Sequence, residues 1–340
     1  MHDIGRPVCI VGLGLIGGSL LRDLEARGQD VFGFNRSTSA ARSAVKQGYD
    51  VSDDLDAVLR KAEARGALIV VAVPMHAVGS ILDRVVELAP TCGITDVVSV
   101  KTHVLQMVRE RGLEARYVGG HPMAGTSESG WENSRRDLFH RTAWAITFDY
   151  AQELDERGER IPRSWMDVFT AVSRMAKLTG AEVVPVRVEA HDAAVARISH
   201  LPHVMAEVLA VVGDHGGILS QSLSAGSFKD ATRVAGTDPS LVRQMLEPNA
   251  PALVEALDEA LSLLADARAN LASDSPDVSE LTDAGYRART RLEARSGARK
   301  ESVSPVKISS RPVIRLQMGA PRWVAQLRQA ESLGGRIEIF

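Results

Sequence analysis

The sequence predicts a doubly wound α/β unit built on a parallel sheet, followed by an all-helical unit. Three observations support this prediction. In the first half, short and continuously apolar runs alternate with amphipathic helical segments, a pattern typical of parallel strands covered on both faces. A glycine-rich segment separates the first apolar run from the first helical one. From residue 187 to about residue 292 the pattern is almost purely helical.

Six apolar runs of the first half are predicted to be strands, with helical segments such as SLLRDLEARG and AVGSILDRVVELAP between them. The runs are VCIVG (8–12), DVFGF (30–34), ALIVVAVP (67–74), DVVSV (96–100), RYVGG (116–120) and TAWAITF (142–148). We therefore expect a first domain at residues 1–160 and a helical domain at 161–295. The pattern of residues 296–340 predicts a linker followed by a strand, a helix and a strand. They are too few to bury a core of their own, so we expect a weakly ordered or docked tail of unknown role.

The composition is that of an ordinary globular protein, with 340 residues, 45% of them hydrophobic, 24% charged, and a net charge of −3. This mild acidity argues against nucleic acid as a partner. The two cysteines, Cys9 and Cys92, lie in or near apolar runs, as expected of thiols in a reducing compartment. We expect a cytoplasmic protein without a membrane partner, because no apolar run approaches the length of a membrane span.

The segment VCIVGLGLIGGSL predicts a dinucleotide site. Gly12, Gly14 and Gly17 have the G-x-G-x-x-G spacing between a predicted strand and a predicted helix. The first glycine permits the tight turn, the second lets a pyrophosphate approach the backbone, and the third lets helix and strand pack closely. The helix N-terminus adds N–H donors and positive potential. A glycine-rich turn that binds no ligand is the alternative.

The end of the second predicted strand, GFNRST, indicates which dinucleotide is bound. NAD-preferring sites usually have an acidic residue there, which accepts a hydrogen bond from the ribose 2′-hydroxyl. Here Asn35, Arg36 and Ser37 occupy that place, and a guanidinium flanked by hydroxyls suits a 2′-phosphate. We therefore predict NADP, with NAD possible if Arg36 only stacks on the adenine.

Two polar residues lie at the carboxyl edges of successive predicted strands, where doubly wound sheets bind their ligands. Ser99 lies in DVVSVKTHV and His121 lies in GGHPMAG. A histidine near its own pKa suits general-base chemistry, and a hydroxyl could orient it. From position alone, a turn histidine bonded to backbone is an equally good interpretation of His121.

The helical half contains two further candidate segments. ISHLPHV places Ser199, His200 and His203 around a proline, and two histidines three residues apart share a helix face. No further ligand has convincing spacing, so we predict no metal site. GSFKDATRVAGTDPSLVRQM contains Arg233, which could clamp a carboxylate. A surface ion pair is the commoner role of a single arginine.

Taken in order, these motifs resemble the prephenate/arogenate dehydrogenase family of tyrosine biosynthesis, in its actinobacterial type. The matching segments are VGLGLIGGSL, AVP, DVVSVK, GGHPMAGTSESGW, SHLPH and FKDATRVAGTDP, over about residues 7–292. The resemblance implies an N-terminal Rossmann domain and an all-α C-terminal dimerisation domain, hence a homodimer. It also implies NAD(P)-dependent oxidative decarboxylation of prephenate to 4-hydroxyphenylpyruvate, of arogenate to tyrosine, or of both.

The resemblance also implies residue roles. His121 would be the catalytic base that takes the proton of the substrate's ring hydroxyl, and Ser99 would hydrogen-bond this hydroxyl and the histidine. Ser199 and His203 would line the substrate pocket, and Arg233 would grip the ring carboxylate. The expected cofactor contacts are Gly12, Gly14, Leu15, Ile16, Gly17, Asn35, Arg36, Ser37, Val73 and Pro74.

One departure from the family pattern concerns the substrate. Many prephenate-using members carry Glu directly after HPMAG-[ST], whereas this chain has Ser127 there and Glu128 one residue later. Prephenate ends in a ketoacid and arogenate in an amino acid, so charge at this point of the pocket could select between them. We therefore place Ser127 in the substrate pocket and expect arogenate or dual use. The tail is also too short for a complete ACT regulatory domain.

Two other functions stay open at this point. A Rossmann-plus-helical β-hydroxyacid dehydrogenase would require a lysine base on the first long helix of the second domain, but EAHDAAVARISHLPH has histidines and no lysine. A non-catalytic dinucleotide-sensing regulator would need the glycine loop without the set formed by Ser99, His121 and Arg233.

Overall fold

The computed structural model of the chain describes residues 3–125, 128–295 and 311–340. Strands and helices alternate through the first half, as predicted. The elements of this half are β1 (Val8–Val11), α1 (Leu15–Glu25), β2 (Val31–Phe34), α2 (Thr38–Lys46), β3 (Val51–Ser52), α3 (Leu55–Arg65), β4 (Leu68–Val71), α4 (Met75–Leu88), β5 (Gly93–Asp96), α5 (Thr102–Glu110), β6 (Tyr117–Val118), β7 (Gly120–Pro122), β8 (Ala143–Thr147), α6 (Asp149–Glu156), α7 (Arg163–Leu178) and β9 (Glu182–Val186).

The second half is helical up to residue 295 and ends in a strand–helix–strand unit. A π-helical turn, Ala196–His200, joins the first two helices into one continuous helix. The elements are α8 (Val188–Val195), α9 (Leu201–His215), α10 (Gly217–Leu223), α11 (Gly226–Thr232), α12 (Pro239–Leu246), α13 (Ala250–Leu271), α14 (Ser279–Arg295), β10 (Val313–Leu316), α15 (Trp323–Leu333) and β11 (Arg336–Ile339).

The main sheet has six parallel strands in the order β3-β2-β1-β4-β5-β6. This is the doubly wound order, so the predicted fold class is confirmed. Successive residues of β1 face opposite cores: Val8 and Ile10 pack in one and Cys9 and Val11 in the other. Because helices cover both faces, the central strands are buried on both sides, which explains their continuous apolar runs.

A second, three-stranded sheet corrects one prediction. The run TAWAITF is a strand, β8, but it pairs antiparallel with β7 and parallel with β9 instead of joining the parallel sheet. The strand predicted at residues 96–100 is also wrong in position, since β5 ends at Asp96. Val97 and Val100 are buried in the turn that follows, so their apolar character reflects burial outside a strand.

The packing of α7 and β9 bears on where the first domain ends. Trp165 and Phe169 of α7 are buried in the core beside the main sheet, and the Trp165 indole donates a hydrogen bond to the Tyr117 carbonyl at 2.9 Å. β9 pairs with β8 along its length. We therefore propose that the first domain runs to Val186, beyond the boundary expected at residue 160.

The tail docks on the first domain over residues 311–340. β10 and β11 pair in parallel, and Leu316 and Leu327 are buried in the same core as the main sheet. Glu331 accepts hydrogen bonds from the backbone and side chain of Arg187, at 2.7 and 2.8 Å. Of the two outcomes expected for the tail, docking is the one observed in this range.

The continuous helix Val188–His215 requires a second correction. By length and composition alone it could cross a membrane, contrary to the expectation that no apolar run reaches that length. Its first part carries His191 and Asp192, which are both buried. Its later part exposes Val211 and Val212 in the single chain, as helices do when their apolar face packs on another chain. The absence of a membrane partner stays a prediction.

Candidate active site

The turn between β1 and α1 has the backbone geometry that a pyrophosphate requires. Gly12 has a φ of +104°, and a Cβ there would lie 2.5 Å from the Ala72 carbonyl oxygen and 2.9 Å from Val73, which belongs to the loop before α4. A Cβ on Gly17 would overlap the Gly12 carbonyl oxygen. At Gly14, by contrast, a Cβ would meet nothing within 4 Å, so the protein leaves open space there.

The N-terminus of α1 complements this open space. Gly14 is the residue that precedes the helix; it provides no side-chain cap, and the first turn contains no acidic residue. The first N–H groups of the helix are therefore left for an anion, and the helix dipole favours one. Leu15 and Ile16 are the first residues of this turn, and Pro74 precedes α4 at the end of the adjacent loop. These residues fit a dinucleotide pyrophosphate.

The end of β2 lies beside the same turn. The Asn35 amide donates to the carbonyl of Leu13 at 3.2 Å, and its oxygen accepts from the Ser37 N–H at 3.2 Å. Ser37 in turn caps α2 by accepting from the Ala40 N–H. Arg36 lies between these two fixed residues with its side chain exposed. The structure thus brings Asn35, Arg36 and Ser37 together with the glycine turn.

Close packing of backbone holds His121 at the carboxyl edge of the main sheet. A Cβ on Gly120 would lie 2.7 Å from the Asp96 carbonyl oxygen, so only glycine lets β7 come this near to the end of β5. Lys101, which is 0% exposed, donates to the Gly120 carbonyl at 2.8 Å and forms an ion pair with the Asp96 carboxylate. Tyr117 donates to the other Asp96 oxygen at 2.6 Å.

His121 is the first member of a chain of three side chains. Its Nδ1 lies 2.9 Å from Nε2 of His191, and Nδ1 of His191 lies 2.7 Å from Oδ1 of Asp192. The Asp192 carboxylate also accepts from the backbone N–H groups of Lys101 at 2.9 Å and Thr102 at 2.7 Å. The start of α8 is thereby attached to the start of α5, and both are attached to the histidine.

The pKa values of the three groups favour a neutral imidazole beside a carboxylate. Burial, followed by the electrostatic effects of His191 and Lys101, holds the pKa of His121 well below its usual value. Burial also lowers the pKa of His191, although its bond to Asp192 acts in the opposite direction. For Asp192, burial would raise the pKa, but the hydrogen bonds from His191 and Thr102 outweigh it and lower the pKa to about 2.

Two other predicted site residues, Ser99 and Ser199, form no described hydrogen bond with His121. Ser99 is half-buried in the turn between β5 and α5, and its hydroxyl makes no hydrogen bond to His121 or to any other described residue. Ser199 lies in the π-helical turn, where its hydroxyl is 3.9 Å from the Met245 sulfur. Its carbonyl oxygen lies 2.9 Å from Nδ1 of His203.

Two predicted substrate residues have no described contact with His121. Arg233 begins a 3-10 turn, Arg233–Gly236, and its side chain is exposed. Within residues 3–125, 128–295 and 311–340, it forms no ion pair. Ser127 lies outside the described residues. Over the same ranges, no three His, Cys, Asp or Glu side chains are grouped so as to hold a metal ion.

Sequence reasoning missed the residues that support His121. His191 and Asp192 lie next to each other in the first turns of α8, where the prediction considered only whether a lysine was present. Asn249 was missed as well: its amide contacts the Asp192 carbonyl at 2.9 Å and His200 at 3.0 Å. A His-Asp pair opening a helix is a signal that could have been noticed, but its partner could not have been identified.

Comparisons with known proteins agree with this geometry. Residues 20–168 match the family described as "prephenate dehydrogenase, nucleotide-binding domain", and residues 187–284 match "prephenate dehydrogenase, dimerization domain". The cyclohexadienyl dehydrogenase of Zymomonas mobilis is 31% identical over 283 residues, which cover 80% of this chain and 90% of that protein.

Two crystal structures have the same fold. One is of a proposed prephenate dehydrogenase from Corynebacterium glutamicum, with 55% identity, a TM-score of 0.92, and coverage of 99% of this chain and 100% of that one. The other is of the arogenate dehydrogenase from Synechocystis, with 26% identity, a TM-score of 0.60, and coverage of 86% and 98%.

Proposed function

This chain belongs to the prephenate dehydrogenase family, and from that premise we propose a role for each part of its site. It is an NAD(P)-dependent oxidoreductase that oxidatively decarboxylates prephenate to 4-hydroxyphenylpyruvate, arogenate to tyrosine, or both. The observation that carries the assignment of roles is the position of His121 at the carboxyl edge of the sheet, with its Nδ1 2.9 Å from Nε2 of His191.

His121 is the general base in this proposal. Its imidazole takes the proton of the substrate's ring hydroxyl as hydride leaves the carbon that bears this hydroxyl. Bound NAD(P) supplies the acceptor for that hydride. General-base assistance of this kind contributes roughly 10²- to 10⁴-fold to the rate. A base that is already neutral is ready to act without first losing a proton.

Decarboxylation completes the reaction and balances its protons. The ring carboxylate leaves as carbon dioxide, and its electron pair enters the ring, which becomes aromatic. Negative charge then reaches the ring oxygen, which can take the proton back from His121. Because aromatisation is strongly favourable, the protein's contribution is mainly to orient the reacting groups and to hold the base neutral.

The remaining substrate contacts are assigned by family likeness and by position. Ser99, in the turn between β5 and α5, would hydrogen-bond the ring hydroxyl, and Ser199 and His203 would line the pocket. Arg233 would hold the ring carboxylate until it departs. Its exposed side chain has no counter-ion among the described residues, which supports this role. Arg233→Ala should raise KM for the substrate strongly, and an unchanged KM would remove Arg233 from the pocket.

We propose that NADP is preferred over NAD. Support comes from Arg36, which is exposed beside the glycine turn and followed by two hydroxyl residues, with no carboxylate at the end of β2. A charge-assisted hydrogen bond contributes about 1.5–3 kcal/mol. Arg36→Ala should therefore raise KM for NADP by about tenfold or more while leaving KM for NAD almost unchanged. Equal changes for both cofactors would mean that Arg36 only stacks on the adenine.

The substrate is proposed to be arogenate, or both arogenate and prephenate, because Ser127 stands where many prephenate-using relatives have Glu. The decisive assay follows the absorbance of reduced nicotinamide with each substrate and each cofactor in turn. Turnover of prephenate alone would contradict this preference. Turnover of neither would leave a β-hydroxyacid dehydrogenase or a cofactor-sensing regulator as the function.

We also propose that the protein is a cytoplasmic homodimer. The match to a dimerization domain over residues 187–284 and the exposed apolar side chains of the helical half support the dimer. Free, buried Cys9 and Cys92 support a reducing compartment.

A further inference from the structure

We propose that His191 and Asp192 form a positioning relay that fixes the tautomer of His121, so that its Nε2 is the nitrogen that takes the substrate's proton. This inference rests on the proposed role of His121 as the base. It assigns a function to two buried residues that the reaction does not otherwise use, and it commits to one nitrogen of the catalytic ring.

The donors and acceptors in the relay follow from the hydrogen-bond partners of Asp192. Its carboxylate accepts two backbone N–H groups, from Lys101 at 2.9 Å and from Thr102 at 2.7 Å. Both oxygens therefore act as acceptors, as an ionised carboxylate requires. The third group near this carboxylate, Nδ1 of His191 at 2.7 Å from Oδ1, must then carry the hydrogen and donate it.

The same reasoning determines the tautomer of His121. A neutral His191 that is protonated on Nδ1 has a bare Nε2, which can only accept. Its neighbour at 2.9 Å is Nδ1 of His121, so that nitrogen must be the donor. Nε2 of His121 is then left without a proton, and no described residue hydrogen-bonds it. This lone pair is the one available to a substrate.

The relay also acts after proton transfer. Once Nε2 of His121 is protonated, the ring is a cation whose Nδ1–H bond to His191 strengthens, and the negative charge of Asp192 lies behind it. The other charged or titratable groups around this ring are Lys101 and His200, which oppose the cation. Asp192 is therefore the group that makes the protonated state accessible.

The first test reads the tautomer directly, without substrate. Nitrogen-15 spectra of the histidine rings of the full-length protein should show His121 and His191 each protonated on Nδ1 and bare on Nε2; His121→Asn and His191→Phe identify the signals. In Asp192→Asn, the side-chain amide can turn its N–H toward His191, and the other tautomer of both rings should gain population. A wild-type His121 protonated on Nε2 would overturn the proposal, whether or not any variant folds.

The second test is kinetic. Asp192→Asn and His191→Phe, which keep side-chain shape, should lower kcat by about tenfold or more with little change in KM for the cofactor. They remove the orientation of the base and, in Asp192→Asn, the negative charge behind it. The matched control is His200→Gln. His200 is buried on the same continuous helix but bonds Asn249 instead of His121, so kcat should stay within about threefold of the wild-type value.

These outcomes separate the relay from the proposed function. If His121→Asn retains turnover, the base has been assigned wrongly, whatever the ring spectra show. If His121→Asn loses turnover while folded Asp192→Asn and His191→Phe keep the wild-type kcat, His121 is the base and the relay is overturned. A fall in kcat for the two relay variants but not for His200→Gln, together with the tautomer change, supports the relay.

Discussion

His121 is a histidine whose surroundings disfavour its charged form. Burial is the largest cause, and the electrostatic effects of the neighbouring His191 and Lys101 act in the same direction. A base must be neutral to accept a proton, and a histidine is neutral above its pKa. Lowering the pKa of His121 therefore extends its working range toward acid.

The first prediction concerns the pH dependence of kcat/KM. The acid limb of kcat/KM should have its midpoint well below pH 6.5, the usual pKa of histidine, because the base loses activity only when pH falls through its lowered pKa. The measurement is kcat/KM from about pH 4 to 8 at saturating cofactor. A midpoint at or above the usual histidine value would mean that another group limits the reaction.

The second prediction concerns Lys101, which is 0% exposed and paired with Asp96. Lys101→Met leaves a buried carboxylate without its counter-ion, which should cost about 3–5 kcal/mol of the free energy of unfolding. Lys61→Met is the matched control, because the Lys61–Asp50 pair is solvent-exposed and should cost at most about 1 kcal/mol. Urea unfolding measures both, and equal losses would contradict a structural role for the buried pair.

At the scale of elements, the glycine turn before α1 contains one glycine that the fold requires and another that it does not. Gly17 is needed by the fold, since a Cβ there would overlap the Gly12 carbonyl oxygen. Gly14 faces open space, so the fold does not require it, and only a bound ligand would come near a side chain at that position.

The third prediction uses this difference. Gly14→Ala should leave the thermal unfolding temperature of the cofactor-free protein nearly unchanged and weaken NADPH binding, because the added methyl occupies the space assigned to the pyrophosphate. Gly17→Ala should lower the unfolding temperature itself. Calorimetry and fluorescence titration measure the two effects. If Gly14→Ala binds NADPH as the wild type does, the pyrophosphate does not lie there.

The sequence predicted those elements whose patterns are local. Continuous apolar runs located β1, β2 and β4, because strands buried on both faces need them. β5 was misplaced because it ends in two polar residues, Thr95 and Asp96, both buried, and the Asp96 carboxylate lies in the buried network around Lys101. Two-residue β3 has no detectable pattern. His191 and Asp192 were missed because their partner lies 70 residues away in sequence.

At the scale of the whole molecule, the two halves are buried to different extents. The first half has a core on each face of its sheet. The helical half leaves large apolar side chains exposed in the single chain, including Ile218, which is 82% exposed, and Leu223, which is 74% exposed, both on α10. Exposed apolar surface of this kind marks an interaction site, and we assign it to a second copy of the chain.

The fourth prediction is that the protein sediments as a dimer and that replacing both Ile218 and Leu223 by Glu shifts it toward monomer, since charges resist burial in an apolar interface. Val45→Glu is the control, because Val45 is also exposed but lies on α2 of the first half. Analytical ultracentrifugation gives both masses. A wild-type monomer would contradict the proposed dimer.

The central claim is that His121 is the base of this dehydrogenase, and one comparison tests it most directly. Turnover of prephenate and arogenate and the dissociation constant of NADPH are measured for the wild type and for His121→Asn. We expect the variant to lose about 10²-fold or more of kcat and to bind NADPH almost as tightly as the wild type. Retained turnover, or equal loss of turnover and cofactor binding, would contradict the claim.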